Sequence, residues 1–208
     1  MGKSKSSQRW LQEHNSDPYV LQARREGYRS RAVYKLIELQ EKDHFLRQGQ
    51  HIIDLGAAPG GWSEYAIKYC ERDGGVIALD ILPIEPIAGV DFIQGDFTDQ
   101  AVLDQILKMN DGRKVDLVLS DMAPNISGIE TVDLPKSMYL VELAFDLALK
   151  VMDQNGVFVV KMFQGVGFDE MVSEFRKHFN SIKFRKPKAS RPRSREVYAV
   201  CQGLKNIE

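Results

Sequence analysis

The stretch from Ile52 to Ser63, IIDLGAAPGGWS, constrains this chain more than any other. His51, Ile52 and Ile53 give a short β-rich run that Asp54 closes. Gly56, Gly60 and Gly61 then surround Ala57, Ala58 and Pro59, leaving a turn with almost no side-chain bulk. Trp62 and Ser63 open a helix-like segment. A strand, a glycine turn and a helix in this order let a ligand approach the backbone closely and point the first helical N–H groups at it. The stretch reads as a nucleotide-type pocket.

The spacing G-x-x-x-G-G is neither the dinucleotide fingerprint nor the phosphate-binding P-loop, and no lysine follows the glycines. An acidic residue just before the turn, Asp54, suits a ligand with positive charge; S-adenosylmethionine carries a sulfonium and an α-ammonium group. A tight turn with no ligand is the plainer alternative, and further acidic strand ends along the chain weigh against it.

From residue 50 onward, strand-like and helix-like stretches alternate, which predicts an α/β fold: an open, mostly parallel sheet with helices on both faces. The expected strands are Gly75–Asp80, Val90–Gln94, Val115–Asp121, Gly156–Phe163, Ile182–Lys186 and Glu196–Gln202. Helices are expected near Asp99–Met109, Pro135–Met152 and Gly167–Phe179. The long one should bury Leu140, Ala144, Leu147 and Val151 and stop at Asn155-Gly156. Before the sheet, Asp17 and Pro18 cap a helix over 17–26, and a second starts near Ser30. Its apolar arc holds Ala32, Val33, Leu36, Ile37 and Leu39, with Lys35 at the border. The chain reads as one domain: a basic tail over 1–9, a helical extension over 10–49 and a core over 50–203.

At 208 residues, with 43% hydrophobic and 27% charged residues, the chain can bury a substantial core. No apolar run approaches membrane-spanning length and no secretory leader is signalled, so a cytoplasmic protein is expected. Cys70 and Cys201 lack CxxC spacing and the four histidines are scattered, so no metal site is expected. The net charge of −1 hides an uneven distribution. Residues 1–35 hold eight basic and three acidic side chains, and residues 181–195 hold seven basic ones and no acid; residues 36–180 hold 12 basic and 24 acidic. Basic ends on an acidic body predict a polyanion-binding face if the ends meet in space.

Asp54, Asp80, Asp96 and Asp121 each fall at the carboxyl end of a predicted strand, where ligands bind in open α/β sheets. Asp80 lies 24 residues after Gly56, near the offset at which an acid meets ribose hydroxyls. Any one aspartate there can be a turn former; four in series point to a site. Lys161 interrupts the apolar run GVFVVKMF, so it must be paired or functional.

Taken together, DLGAAPGGWS, the strand-ending GDF, SDMAPNISG, FVVKMFQG and RSREVYAV resemble the FtsJ/RrmJ family of S-adenosylmethionine-dependent ribosomal RNA 2′-O-ribose methyltransferases. The likeness runs from RWLQEH at Arg9–His14 to the last strand; only the extreme amino terminus and the tail after Gly203 look unconstrained. It implies a seven-stranded methyltransferase (Rossmann-like) sheet with an antiparallel last strand. It also implies cofactor contacts at Gly60 and Trp62, at Asp80 on the ribose, at Asp96 near the adenine and at Asp121 near the methionine end. Asp54 and Gly56 join them from the residue reading. The family's K-D-K-E catalytic set falls on Lys35, Asp121, Lys161 and Glu196. The implied partner is 23S rRNA, a uridine of the assembled 50S subunit, and a monomeric enzyme is expected.

The chemistry fits that set. A sulfonium methyl is already electrophilic, so the protein must align a 2′-hydroxyl and manage its proton. Lys161 suits that task as a base or a steering group, Asp121 would orient its ammonium, and Glu196 would hold Lys35 or the ribose. The loop Met122-Ala123-Pro124-Asn125 lacks the aromatic that amine methylation uses, and neither cysteine follows a proline as in cytosine C5 enzymes. Two other classes compete: a nicotinamide oxidoreductase, which leaves Lys161 and the basic ends unexplained, and a non-catalytic RNA-binding assembly factor, which leaves the catalytic set unexplained.

Overall fold

The computed structural model describes residues 16–70, 73–125 and 127–206. The expected tail over 1–9, the RWLQEH stretch and His14 lie outside the described residues. The elements in chain order are α1 (Pro18–Glu26), α2 (Val33–Asp43), β1 (His51–Leu55), α3 (Gly61–Ile67), β2 (Gly75–Asp80), β3 (Val90–Gln94) and α4 (Gln100–Asn110). There follow β4 (Val115–Ser120), α5 (Glu130–Val151), β5 (Met152–Phe163), α6 (Phe168–His178), β6 (Phe179–Arg185) and β7 (Glu196–Leu204).

The strands form a seven-stranded sheet in the order β3-β2-β1-β4-β5-β7-β6. β1 pairs in parallel with β2 and β4, β2 with β3, and β4 with β5. β7 runs antiparallel between β5 and β6. The mostly parallel sheet is the one the alternating pattern predicts, and the seven strands with an antiparallel β7 are what the family resemblance implies. One face packs Ile53, Leu55 and Phe158 against Val102 and Ile106 of α4, Val141 and Ala144 of α5, and Phe175 of α6. The other packs Ile52, Leu117 and Val159 against Leu36 and Leu39 of α2 and Trp62 and Ala66 of α3. Both faces are therefore covered, which is why the central strands read as near-continuous apolar runs.

Helix starts follow their caps. The Asp17 carboxylate accepts from Tyr19 N at 2.9 Å and the Asp99 carboxylate from Ala101 N at 2.9 Å. Four expectations shift. The second helix starts at Val33 rather than near Ser30 and lacks a side-chain cap. The long helix starts at Glu130, five residues before Pro135, because Asp133 accepts hydrogen bonds from Ser127 N at 2.9 Å, Ser127 Oγ at 2.8 Å and Gly128 N at 2.9 Å. Glu130 and Asp133 also place negative charge on the positive end of the helix dipole. Asn155-Gly156 does not end that helix. β5 already begins at Met152, and the pair sits where the β4–β5 register shifts between Val115↔Met152 and Leu117↔Val157. Leu140 is half-buried rather than buried. The segment after Gly203 is also held: Lys205 N donates to His178 O at 2.7 Å, and Gln154 Nε2 to Asn206 Oδ1 at 2.9 Å. Among the described residues, no helix is long and apolar enough to cross a membrane.

The helical extension is anchored to the far end of the sheet by charge. The Asp43 side chain is fully buried and accepts from Arg185 Nε and Nη2, both at 2.9 Å, with Lys183 Nζ at 3.3 Å. Burial alone would raise the Asp43 carboxyl, but the Arg185 and Lys183 hydrogen bonds and charges outweigh it and hold it below the usual carboxylate range. Replacing Asp43 by alanine should lower stability by about 1–3 kcal/mol, since it strips a bidentate acceptor from the clamp. Urea unfolding checks this, and an unchanged midpoint would make the clamp decorative.

Candidate active site

The carboxyl ends of β1 to β4 surround a cleft of about 490 Å³. The turn after β1 contributes Gly56 and Ala58, the end of β2 Asp80, the end of β3 Asp96 and Phe97, and the end of β4 Asp121 to Asn125. Lys136, Tyr139 and Leu140 of α5 close one side. Asp80 links two of these walls: Oδ2 accepts from Ala58 N at 2.8 Å and Oδ1 from Leu82 N at 2.9 Å. Asp96 forms a local turn with Thr98, accepting from its N at 2.9 Å and its Oγ1 at 2.7 Å, and these bonds keep its carboxyl low. Three carboxylates around one cavity fit a ligand that is cationic at one end and carries hydroxyls and amines at the other.

Asp54, Gly60 and Trp62 are placed differently from the expected contacts. Asp54 is 0% exposed, points into the α3 face of the sheet and accepts from Ser63 Oγ at 2.6 Å, while its Oδ1 has no partner. Trp62 is buried, donates from Nε1 to Ala32 O at 2.8 Å and packs on the Tyr198 ring with centroids 5.8 Å apart. It is a brace between α3 and the start of α2. Gly60 has φ 101°, and a Cβ there would sit 2.8 Å from Ile87 Cδ1, so the loop before β3 claims that space. None of the three lines the cleft among the described residues. Gly56 does line it, and a Cβ there would lie 2.9 Å from Met122.

Behind Asp121 the expected quartet comes together. Lys161 Nζ lies 3.0 Å from Asp121 Oδ1 and also donates to the Asp121 backbone carbonyl. Lys35 Nζ lies 2.8 Å from Glu196 Oε1. The two pairs are joined by Tyr198, whose hydroxyl accepts from Lys35 Nζ at 3.1 Å and donates to Asp121 Oδ1 at 2.6 Å. Strand register makes this meeting obligatory. Tyr198 pairs with Lys161, and Glu196 with Phe163, so with a period of two all four side chains leave the same face of β5 and β7, toward α2. Lys161 is 7% and Glu196 8% exposed, so these charges survive burial only because each has an opposite partner.

Burial would raise the Asp121 carboxyl, but the Lys161 and Lys35 charges and the hydrogen bonds from Tyr198 and Lys161 hold it below the ordinary range. Burial first, then the Asp121 and Glu196 charges, push the Tyr198 hydroxyl well above its ordinary value, so it stays a neutral donor. Tyr198 was not among the residues that sequence singled out. A tyrosine two residues after Glu196 on a β-rich strand reads as ordinary core, and only the pairing with Lys161 reveals its bond to Asp121.

An acid-lined cleft at the carboxyl ends of a β3-β2-β1-β4-β5-β7-β6 sheet, with a lysine–carboxylate chain behind its Asp121, defines a group-transfer enzyme of the Rossmann-like methyltransferase class. The FtsJ-like methyltransferase family model matches residues 28–204, and the chain belongs to that family and is a methyltransferase. It is 57% identical over 205 residues to a ribosomal RNA large subunit methyltransferase E of Hahella chejuensis, covering 99% of this chain and 100% of that one. A protein of the same name from Marinobacter nauticus is 55% identical, with 99% of each chain covered. A crystal structure of a ribosomal RNA methyltransferase from Plasmodium falciparum superposes with a TM-score of 0.76 at 29% identity, covering 85% of this chain and 98% of that one.

Asp54 yields a pH prediction. Burial, opposed by the Ser63 hydrogen bond and reinforced by the Asp121 and Asp80 charges, pushes its carboxyl from 3.8 up to about 7. A carboxyl whose pKa is raised on folding holds its proton in the folded state while the unfolded chain releases it, so stability falls as pH rises from about 4 to about 7. The loss is on the order of 4 kcal/mol. Asp54→Asn should flatten that limb in thermal unfolding of the ligand-free protein at pH 4.5, 5.5, 6.5 and 7.5. A parallel pH profile in mutant and parent would show that Asp54 is already ionised in the fold.

Proposed function

We propose that this enzyme transfers the methyl group of S-adenosylmethionine to the 2′-hydroxyl of a uridine ribose in 23S rRNA, acting as a monomer on the assembled 50S subunit in the cytoplasm. The observation that carries the reading is the buried chain Glu196–Lys35–Tyr198–Asp121–Lys161, which reaches the cofactor cleft at Asp121. Two relatives that are more than half identical and nearly coextensive are named for ribosomal RNA large subunit methylation, which supports the same substrate here.

When bound, S-adenosylmethionine supplies an electrophilic methyl group. Asp80 would hold its ribose hydroxyls, Asp96 would lie near its adenine and Asp121 near its methionine end. Lys161 would steer the acceptor hydroxyl or act as the base that takes its proton as the new O–CH3 bond forms and the S–CH3 bond breaks. Two directions at its nitrogen are taken by the Asp121 side chain and carbonyl, which fixes the nitrogen and leaves one direction for an incoming hydroxyl. Glu196 is held by Lys35 and stands at the start of β7 on the same face, where it can accept from the ribose. Cysteine chemistry is disfavoured: burial, helped by Asp116, pushes the Cys70 thiol up to about 11, and burial pushes Cys201 higher still. No aromatic stands in the Met122–Asn125 loop, against a planar amine acceptor.

Lys161→Ala should lower methyl transfer by about a thousandfold or more while leaving cofactor affinity within a few-fold, because its partner is the hydroxyl. Arginine should not restore activity, since its planar fork misplaces the donor. Single-turnover transfer of labelled methyl to large subunits, with calorimetry of S-adenosylhomocysteine binding, checks both. Near-parent rates in the alanine variant would return Lys161 to a structural ion pair.

RNA would be held where the two basic segments meet. Arg31 of the amino-terminal segment bonds the carbonyl of Ala189, Lys188 N donates to Glu38 at 2.6 Å, and Ala189 is buried with Ala23, Val33 and Tyr34. The face is smaller than the charge count implies, because Lys183 and Arg185 are committed to Asp43. Neutralising Lys188, Arg191 and Arg193 should weaken subunit binding and lower the salt slope by roughly one per lost phosphate contact, with cofactor affinity unchanged. A slope identical to the parent's in filter-binding titrations would remove this face from RNA binding.

A further inference from the structure

A second cavity, of about 290 Å³, adjoins the cofactor cleft and shares Pro124 with it. Its apolar walls are Pro124, Leu134 and Phe163. Ser137, 5% exposed, is its deepest polar residue, and the exposed ion pair of Glu130 and Arg195 stands at its rim. The cavity touches the catalytic chain through the backbone. Phe163 lies two residues beyond Lys161 on the same face of β5 and pairs with Glu196, and Arg195 directly precedes Glu196. Nothing in the cofactor cleft or in the quartet uses this space.

We propose that this cavity receives the nucleobase of the acceptor nucleotide, turned out of the RNA so that its ribose lies against Lys161 and Glu196. The inference rests on the ribose-methylation reading above and deepens it. A 2′-oxygen and its base hang from adjacent ribose carbons, so a hydroxyl presented to Lys161 puts the base within a few ångströms of that lysine. The cofactor cleft on the other side of Pro124 belongs to the methyl donor. Only a base drawn out of its stack brings its ribose this deep, and enzymes acting on single nucleotides recover that cost with a shaped pocket. A nucleobase has two apolar faces and a polar edge, and the cavity offers the same division. Leu134, Phe163 and Pro124 can cover faces, while the Ser137 hydroxyl and the Glu130–Arg195 pair supply donors and acceptors for an edge.

The test uses full-length protein and assembled large subunits whose RNA lacks the methyl group, reconstituted with either the natural acceptor nucleotide or an abasic one that keeps the 2′-hydroxyl. The parent should methylate the abasic ribose about ten- to a hundredfold less efficiently in kcat/KM. Ser137→Leu, which fills the cavity, should lower kcat/KM on the natural RNA by a similar factor, bring the two substrates to nearly the same rate and leave cofactor binding by calorimetry within about twofold. Glu130→Ala, at an exposed position, should lower kcat/KM on the natural acceptor and leave the abasic one unchanged. Equal parent rates on the two substrates would overturn the inference while leaving ribose methylation intact. Failure of the parent to methylate either would overturn the proposed function and the inference with it.

Discussion

The carboxylate of Asp121 is the interaction on which the rest of this structure depends. Its backbone N bonds Leu55 O at the end of β1, its carbonyl and side chain receive Lys161 from β5, and its Oδ1 receives Tyr198 from β7. Through Tyr198 it reaches Lys35 on α2. A charge at this depth is tolerated only when opposite charge and hydrogen bonds surround it. Each partner must therefore come from an element that the fold holds rigidly, and three strands and a helix are fixed relative to one another by that requirement. The same preorganisation holds a lysine nitrogen in place behind the acid-lined cleft, the geometry that the proposed alignment of a weakly nucleophilic hydroxyl requires.

The antiparallel insertion of β7 makes this possible. A parallel strand at that position would carry its side chains in a different register against Lys161; the observed pairing sets Tyr198 opposite Lys161 and Glu196 opposite Phe163. One strand thereby delivers the hydroxyl that joins the two ion pairs, the carboxylate that holds Lys35 and, through Arg195, an edge of the second cavity. The acid-lined cleft, the lysine–carboxylate chain and the second cavity follow one another along the carboxyl ends of the strands, and Pro124 lines both cavities.

Charge is spent on architecture as well as on ligands. Asp43 takes Arg185 and Lys183 out of the basic segment to tie α2 to β6, and Arg31 binds Asp17 and the Ala189 carbonyl to bring the amino-terminal helices against the 186–195 segment. The basic ends are neighbours because some of their own charges are used to join them. What is left over for a polyanion is a narrower set than the seven basic residues of 181–195.

Sequence alone determined the alternation of strands and helices, because strand burial on both faces writes continuous apolar runs between helical periods, and it determined that a lysine in GVFVVKMF needs a partner, because a buried cation without one is too costly. The family resemblance carried by its motifs brought Lys35, Asp121, Lys161 and Glu196 forward together. Tertiary structure alone decided which strand-end aspartates face the cleft. Asp54, Asp80 and Asp96 have similar local contexts, yet the α3 helix and Ser63 enclose the first while the others border open space. It alone recruited Tyr198, turned Trp62 into a brace and diverted Lys183 and Arg185 to Asp43. The physical reason is the same in each case: local sequence sets backbone conformation, but which side chains a polar group meets, and how much water it keeps, depends on elements far away in the chain.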